Sequence, residues 1–557
     1  MRNIVVTLSL LVLAGCAQVA TRPDLAVITV IGTNDVHGEL VEQTDRGGLT
    51  TLSGYVNAVR AARAADGGLL LVDAGDMWQG TLESNLNEGY SVVETYNAMG
   101  YAAAAIGNHE FDFGPLGPKS IPESDGDNPF GALQARATKA NFPLLGANLI
   151  DVATGQLVEW DNVQASAVVQ RAGVQIGVIG VLTESTRATT IAANVRDIRI
   201  APLAAAIKEQ AQALRLAGAS LIVVVAHAGS RCAEFDDPFD TSSCRMDGEI
   251  MRVAQALPPG LVDHIVAGHV HQGIAHDVNG IAVTSAYSNT RAFSRVDFTI
   301  DRNSGEVVDR RIYPPQPIVA GATYEGRKVV PDAAVLAIAE RARDMAAKRR
   351  AEPLGVTMDE PTLHRTRPES PLANLFTDAL LQMNDADIAI HNVWGGIRAE
   401  LPEGELTYGD VYRVFPFDNR VAIIELTGAQ LRSIIAQQAH NRMRAAGFSG
   451  MRVYVSCEAN DMRVSMLRPD GTEIEDDDKL RVVANDFLLL GGDSILTPVI
   501  PEEGFAMPNS TPLVREMLAQ WFRSNPGEMD PDDFMNPESL RWNLPPELPA
   551  ECQLSMP

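Results

Sequence analysis

The chain has 557 residues, 46% hydrophobic and 21% charged, an ordinary globular composition at a length that usually takes two large domains. Its formal net charge of −26 repels polyanions over the whole surface. No Lys/Arg-rich face or RNA-type aromatic motif offsets that charge, which argues against long nucleic acid as a partner and leaves room for a small anion drawn in by local metal and arginine charge.

Residues 1–16 read as a targeting segment: Arg2 at the start, an apolar run from Ile4 to Leu13, then Leu13-Ala14-Gly15-Cys16. The run is too short to span a bilayer, and no other stretch approaches about 18 consecutive apolar residues. The ending resembles the bacterial lipobox, which implies cleavage before Cys16 and a lipid anchor on it. Ala17 after the cysteine resembles outer-membrane rather than inner-membrane sorting. The expectation is a cell-envelope protein, facing the periplasm and held to the membrane through Cys16. The remaining cysteines are Cys232, Cys244, Cys457 and Cys552, an even number that suits disulfides in an exported protein. Of three pairings, 232–244 with 457–552 closes each bond within one domain and is the one expected.

From Ala26 to about Phe298 apolar runs alternate with helical stretches, as in an α/β domain. Strands are predicted at Val27–Gly32, Leu69–Asp73, Ala103–Ile106, Val174–Val181, Leu221–Ala226, His264–Ala267 and Ile281–Ser285. Continuous Val/Ile/Leu runs among them suit strands covered on both faces. Helices are predicted at Leu49–Ala65, Ser91–Met99 and Pro202–Ala217. Gly114–Gly131 reads as a surface loop and a candidate rim element. Pro331–Arg350 reads as a linker helix, giving domains at 25–325 and 353–557 around a connector at 326–352. The second region has strands at Ile388–Ile390, Arg420–Leu426, Met451–Val455 and Leu480–Ala484, and the acidic, proline-rich tail from Pro501 is expected to be irregular.

Five polar clusters sit at predicted strand ends: Thr33-Asn34-Asp35-Val36-His37, Asp73-Ala74-Gly75-Asp76, Gly107-Asn108-His109-Glu110-Phe111-Asp112, Ala226-His227-Ala228-Gly229 and Gly268-His269-Val270-His271. In α/β sheets ligands bind beyond the carboxyl ends of strands, so one sheet edge is expected to gather these residues. Carboxylates, an amide and imidazoles are the mixture that two neighbouring divalent cations need. Cations about 3.5–4 Å apart repel unless an anionic ligand bridges them, and Asp76 is the candidate bridge.

In series these motifs resemble the calcineurin-like metallophosphoesterases. Thr-Asn-Asp-x-His-Gly with Gly-Asn-His-Glu-Phe-Asp is similar to the 5′-nucleotidase and UDP-sugar hydrolase branch. The resemblance implies an amino-terminal domain of helices around a β-sandwich, a linker helix and a carboxy-terminal α/β nucleotide-recognition domain. It implies Asp35, His37, Asp76 and His271 around one ion, and Asp76, Asn108, His227 and His269 around the other. The metals would be Zn, Mn, Co or Fe. His109 with its partner Asp112 falls on the family's catalytic positions, where an imidazole can protonate a leaving oxygen and a carboxylate can orient it.

In the second region Gly395-Gly396-Ile397-Arg398 is a glycine turn followed by an arginine suited to phosphate oxygens. The resemblance places Phe417 and Phe487 on either side of a nucleobase, Asn419 near the base and Asp493 on the ribose. Trp394 stands where the family has a small residue. A further phosphate-binding arginine falls on Arg365 or Arg367, with the register left open by Pro368 and Pro371. The expected activity is release of phosphate from 5′-nucleotides, and also action on UDP-sugars or 2′,3′-cyclic nucleotides. Alternatives are a two-metal hydrolase of a non-nucleotide phosphate or sulfur ester and a non-catalytic nucleotide-binding lipoprotein.

Overall fold

A computed structural model describes residues 24–43, 45–364, 369–439, 446–458, 460–501, 504–505, 511–545, 548–549 and 551–552. Cys16, Arg365 and Arg367 lie outside the described residues. No helix among those described is long and apolar enough to cross a membrane.

The amino-terminal half is built on two mixed sheets packed face to face. In the first, Leu25–Thr33 runs parallel to Gly67–Asp73 and antiparallel to Ala292–Asp301, with Ala103–Ala105 parallel on the far side of Gly67–Asp73. In the second, Val174–Leu182, Leu221–His227, His264–Ala267 and Ile281–Ala286 form a parallel centre flanked by antiparallel Ser166–Arg171 and Gly273–Val278. Successive strand residues face opposite sides, and the burial follows that period. Ile28, Val30, Leu70 and Val72 meet Ile176, Val178, Val223 and Val225 between the sheets. Ile31, Leu69 and Leu71 face outward onto helices Gly48–Ala62 and Tyr90–Met99. On the far side Leu203, Ile207, Ala211 and Leu214, one stripe of helix Leu203–Leu216, cover Ile179, Ile222 and Val224. Two covered faces per strand explain the unbroken apolar runs.

Helix Ala333–Arg350 starts on Asp332, whose side chain accepts from the Ala334 amide. Its Val335, Ala339 and Ala342 join the first half's core, while Ala346 joins the second's. The second half has a four-stranded sheet in the order Val421–Thr427, Lys479–Asn485, Ile388–His391, Gly447–Ser449. The disulfides are Cys232–Cys244 and Cys457–Cys552.

Two expectations need correction. The polar clusters do not share one sheet edge: those holding residues 35–37, 76 and 108–112 leave the first sheet, and those holding 227 and 269–271 leave the second. The region after Pro501 is not all irregular. It contains helix Val514–Ser524, which buries Val514, Met517, Leu518, Trp521 and Phe522, and strand Gly527–Met529, which pairs with Pro353–Met358.

The two sheets approach closely at Gly180, where an added Cβ would lie 2.6 Å from the Leu145 carbonyl oxygen of the facing sheet. Gly180→Ala is therefore expected to lower stability by about 1–3 kcal/mol, measured by urea unfolding; an unchanged midpoint would contradict this close approach.

Candidate metal centre and interdomain cleft

The loops leaving the two sheets converge on two groups of acceptors. Asp35, His37 and His271 form one, and Asp76, His227 and His269 the other, with the ligand atoms of each group within 4.8 Å of one another. Asn108 joins the second through its Oδ1, 2.9 Å from His227 Nε2. Asp76 lies at the centre: its Oδ2 is 3.1 Å from His227 Nε2, and its Oδ1 accepts from the His109 backbone amide at 2.9 Å. Asp35, His37, Asp76, His269 and His271 all have positive φ, between 49° and 74°. Such backbone costs about 1–3 kcal/mol at each non-glycine residue and persists only where the surroundings enforce it.

Glu110 supplies much of that enforcement. Its carboxylate accepts from the backbone amides of Asp76 (2.8 Å), Met77 (2.8 Å) and Gly107 (2.6 Å), clamping two of the loops together. Asp73 does the same one turn earlier, taking bonds from Thr33 Oγ1, Tyr96 and the Gly75 amide. Asn34 bridges the sheets, donating to Asp35 Oδ2 and the Tyr287 carbonyl while accepting from the Ala286 amide.

The donor chemistry fits cations. His37 Nδ1 donates to the Gln79 carbonyl at 2.8 Å, so its Nε2 carries a lone pair, which faces His271 Nε2 at 3.1 Å. His227 Nδ1 likewise donates to the Ala74 carbonyl, turning Nε2 toward the oxygens of Asn108 and Asp76. Burial, the largest effect, keeps His37 and His269 neutral, His269 at about 3. Burial would also lower His227, but the Asp76 carboxylate lifts it to about 10, because the oxygens around its Nε2 demand positive charge there. Burial would raise Asp35, yet His271 holds it at about 2. Lone pairs and carboxylate oxygens aimed at common points repel unless positive charge lies among them. Divalent cation chemistry would meet that need.

Beside this centre His109 Nδ1 lies 2.7 Å from Asp112 Oδ2. Burial would lower the His109 pKa, but Asp112 and Asp76 together raise it. The His109 ring is 5.5 Å from that of His37 and 5.7 Å from that of Phe417 in the second half, so it stands at the junction of the two. Arg398 Nη2 comes within 3.1 Å of His37 Nε2, and its guanidinium is 5.7 Å from the Phe417 ring. The junction is also held by Gln79 Nε2 and Asn85 Nδ2, both donating to the Pro416 carbonyl, and by Ser120 of the Gly114–Gly131 loop reaching the Asp418 carbonyl at 3.4 Å.

A cleft of about 1670 Å³ runs between the halves and is lined by His37, His109, His269 and His271 together with Arg398, Phe417, Asn419, Phe487 and Asp493. Trp394 also lines it, in the short helix Val393–Gly396. Glycines shape this wall. A Cβ on Gly492 would overlap the Phe487 ring, and one on Gly395 would overlap the Asp493 carboxylate. Asp493 is held by Asn392 Nδ2 at 2.7 Å, and the Asn419 amide donates to Asp486 at 2.9 Å.

Several residues at the site escaped the sequence reading. Glu110 was inside a recognised motif without a role of its own, and Asn392 precedes the glycine turn. Ser185, Thr189 and Thr190 follow strand Val174–Leu182, a strand of the second sheet whose end carries none of the five polar clusters; the strand-end rule itself is the available signal.

Removing the Glu110 clamp should be costly. Glu110→Ala leaves three buried amides without that acceptor, and a loss of about 2–3 kcal/mol is expected from urea unfolding. A loss within experimental error would contradict the clamp.

A calcineurin-like phosphoesterase profile matches residues 28–273, and a 5′-nucleotidase C-terminal domain profile matches residues 353–499. The cell wall protein Lmo0130 of Listeria monocytogenes is 29% identical over 514 residues, covering 84% of this chain and 64% of its own length. The chain thus spans about two thirds of that relative. Protein UshA of Yersinia enterocolitica is 27% identical, with 84% and 86% of the two chains covered. Among solved structures, the 5′-nucleotidase precursor of Thermus thermophilus superposes with a TM-score of 0.72 at 22% identity, covering 94% of this chain and all of that one. The chain belongs to the calcineurin-like phosphoesterases and carries, behind the phosphoesterase domain, a 5′-nucleotidase C-terminal domain.

Proposed function

We propose that this protein is a two-metal phosphohydrolase that releases phosphate from 5′-nucleotides. The observation carrying the reading is that the two acceptor groups around Asp76 open into the same cleft as Arg398, Phe417 and Phe487. A phosphoryl group at the cation centre then leaves room for a base between aromatic walls. In this reading Asp35, His37, Asp76 and His271 would hold one ion, and Asp76, Asn108, His227 and His269 would hold the other. Divalent ions held there would supply Lewis-acid polarisation of a phosphoryl oxygen and make hydroxide accessible near neutral pH.

The chain's own groups do the rest. Arg398 offers a forked donor to the phosphoryl oxygens. His109, kept protonated by Asp112, gives its proton from Nε2 to the leaving ribose oxygen as the phosphorus–oxygen ester bond breaks. Water supplies the new phosphorus–oxygen bond, and the products are nucleoside and phosphate. Phe417 and Phe487 flank the base, Asn419 lies at its edge and Asp493 meets the ribose. Arg365 or Arg367 is assigned a second phosphate contact. Residues 25–325 thus carry the chemistry and 353–557 the recognition, with 326–352 between them. We assign the protein to the cell envelope, anchored through Cys16; two disulfides in one chain suit an oxidising compartment outside the cytoplasm.

Two tests bear on the roles. His109→Ala should keep its metal and lose about 10²–10⁴ in kcat on a 5′-nucleotide, with a smaller loss on p-nitrophenyl phosphate, whose leaving group needs no proton. Unchanged turnover with metal bound would contradict the assignment. Phe417→Ala and Phe487→Ala should each weaken nucleotide binding by about 1–3 kcal/mol, read from KM, while leaving p-nitrophenyl phosphate hydrolysis unaltered. Equal effects on both esters would favour the non-nucleotide alternative.

A further inference from the structure

The segment Thr183–Thr190 leaves strand Val174–Leu182 and runs beside the metal centre, with Ser185 Oγ 3.3 Å from His269 Nε2. Glu249, the first residue of helix Glu249–Ala256, fixes its start by accepting from Thr183 Oγ1 at 2.6 Å and the Glu184 amide at 3.2 Å. Thr186 Oγ1 closes the turn on the Thr183 carbonyl at 2.7 Å. The far end then touches two groups of the site. The Thr189 carbonyl accepts from Asn108 Nδ2 at 2.8 Å, which turns Asn108 Oδ1 toward His227. Thr190 Oγ1 donates to Asp112 Oδ1 at 2.7 Å, while the other oxygen of the same carboxylate faces His109 Nδ1.

A carboxylate torsion is broad and roughly two-fold, so a single bond to an imidazole leaves the plane of Asp112 loosely set. Thr190 is buried and β-branched, with little χ1 freedom, so its hydroxyl is a fixed second point. Two points fix the carboxylate plane, and with it the plane of the His109 ring.

We propose that Thr190 is a positioning residue for the Asp112–His109 pair, delivered by a segment that also sets the Asn108 amide. The inference rests on the phosphohydrolase reading given above. The test compares Thr190→Val and Thr190→Ser with the parent in full-length, metal-loaded protein, alone and in an Asp112→Asn background. Phosphate release is measured from a 5′-nucleotide and from glycerol phosphate, both with alkoxide leaving groups that need a proton, with metal content and thermal midpoint as controls. Thr190→Val should lower kcat roughly 10- to 100-fold with KM and metal content unchanged, and Thr190→Ser, which keeps the hydroxyl, should restore it. In the Asp112→Asn background Thr190→Val should add no further loss. An unchanged kcat in Thr190→Val, or the same fold-loss in both backgrounds, would overturn the proposal. Should the valine variant fail to fold, Thr190→Ala is read in the same way. A parent protein that hydrolyses glycerol phosphate but no nucleotide contradicts the substrate reading alone, since the Thr190 comparison is then made on that ester, whose alkoxide leaving group also needs the His109 proton.

Discussion

Like-charged and lone-pair atoms do not gather in a protein interior unless something positive lies among them, and this fold gathers them twice around one carboxylate. Asp76 is fully buried, faces His227 with one oxygen and takes the His109 amide with the other. The imidazoles are oriented from outside the centre by the Gln79 and Ala74 carbonyls, which accept from Nδ1 of His37 and His227 and turn each Nε2 inward. The centre is thus built for cations by groups that never touch them.

The scaffold and the centre are linked by cost. Five side chains of the two acceptor groups sit on left-handed backbone. The loops keep that shape because buried carboxylates of Glu110 and Asp73 bind their amides, and because Asn34 ties one sheet to the other. The interior between the sheets is made of small and branched apolar residues, and glycines such as Gly180 let the sheets close up. The second half completes the cleft from the open side: Arg398 reaches the His37 imidazole and Phe417 lies beside His109.

Much of this was legible before any coordinates. The strands with continuous Val/Ile/Leu runs were placed to within a few residues because two covered faces leave no polar interruptions. The acceptor residues could be named because they follow those strands. What was not legible has physical causes. Strand ends show that residues are near a site, but not that two sheets share the task, since sheet pairing is a long-range choice. The helix Val514–Ser524 has a clear i, i+3, i+4, i+7 stripe, yet the prolines and carboxylates on both sides outweighed it in the composition of the tail. Backbone acceptors such as the Gln79, Ala74 and Thr189 carbonyls carry no residue-type signal at all.

The most direct measurement is anomalous diffraction from crystals loaded with manganese or zinc. Two peaks about 3.5–4 Å apart are expected, with Asp76 between them. A single peak, or two peaks that do not share the Asp76 carboxylate, would contradict it.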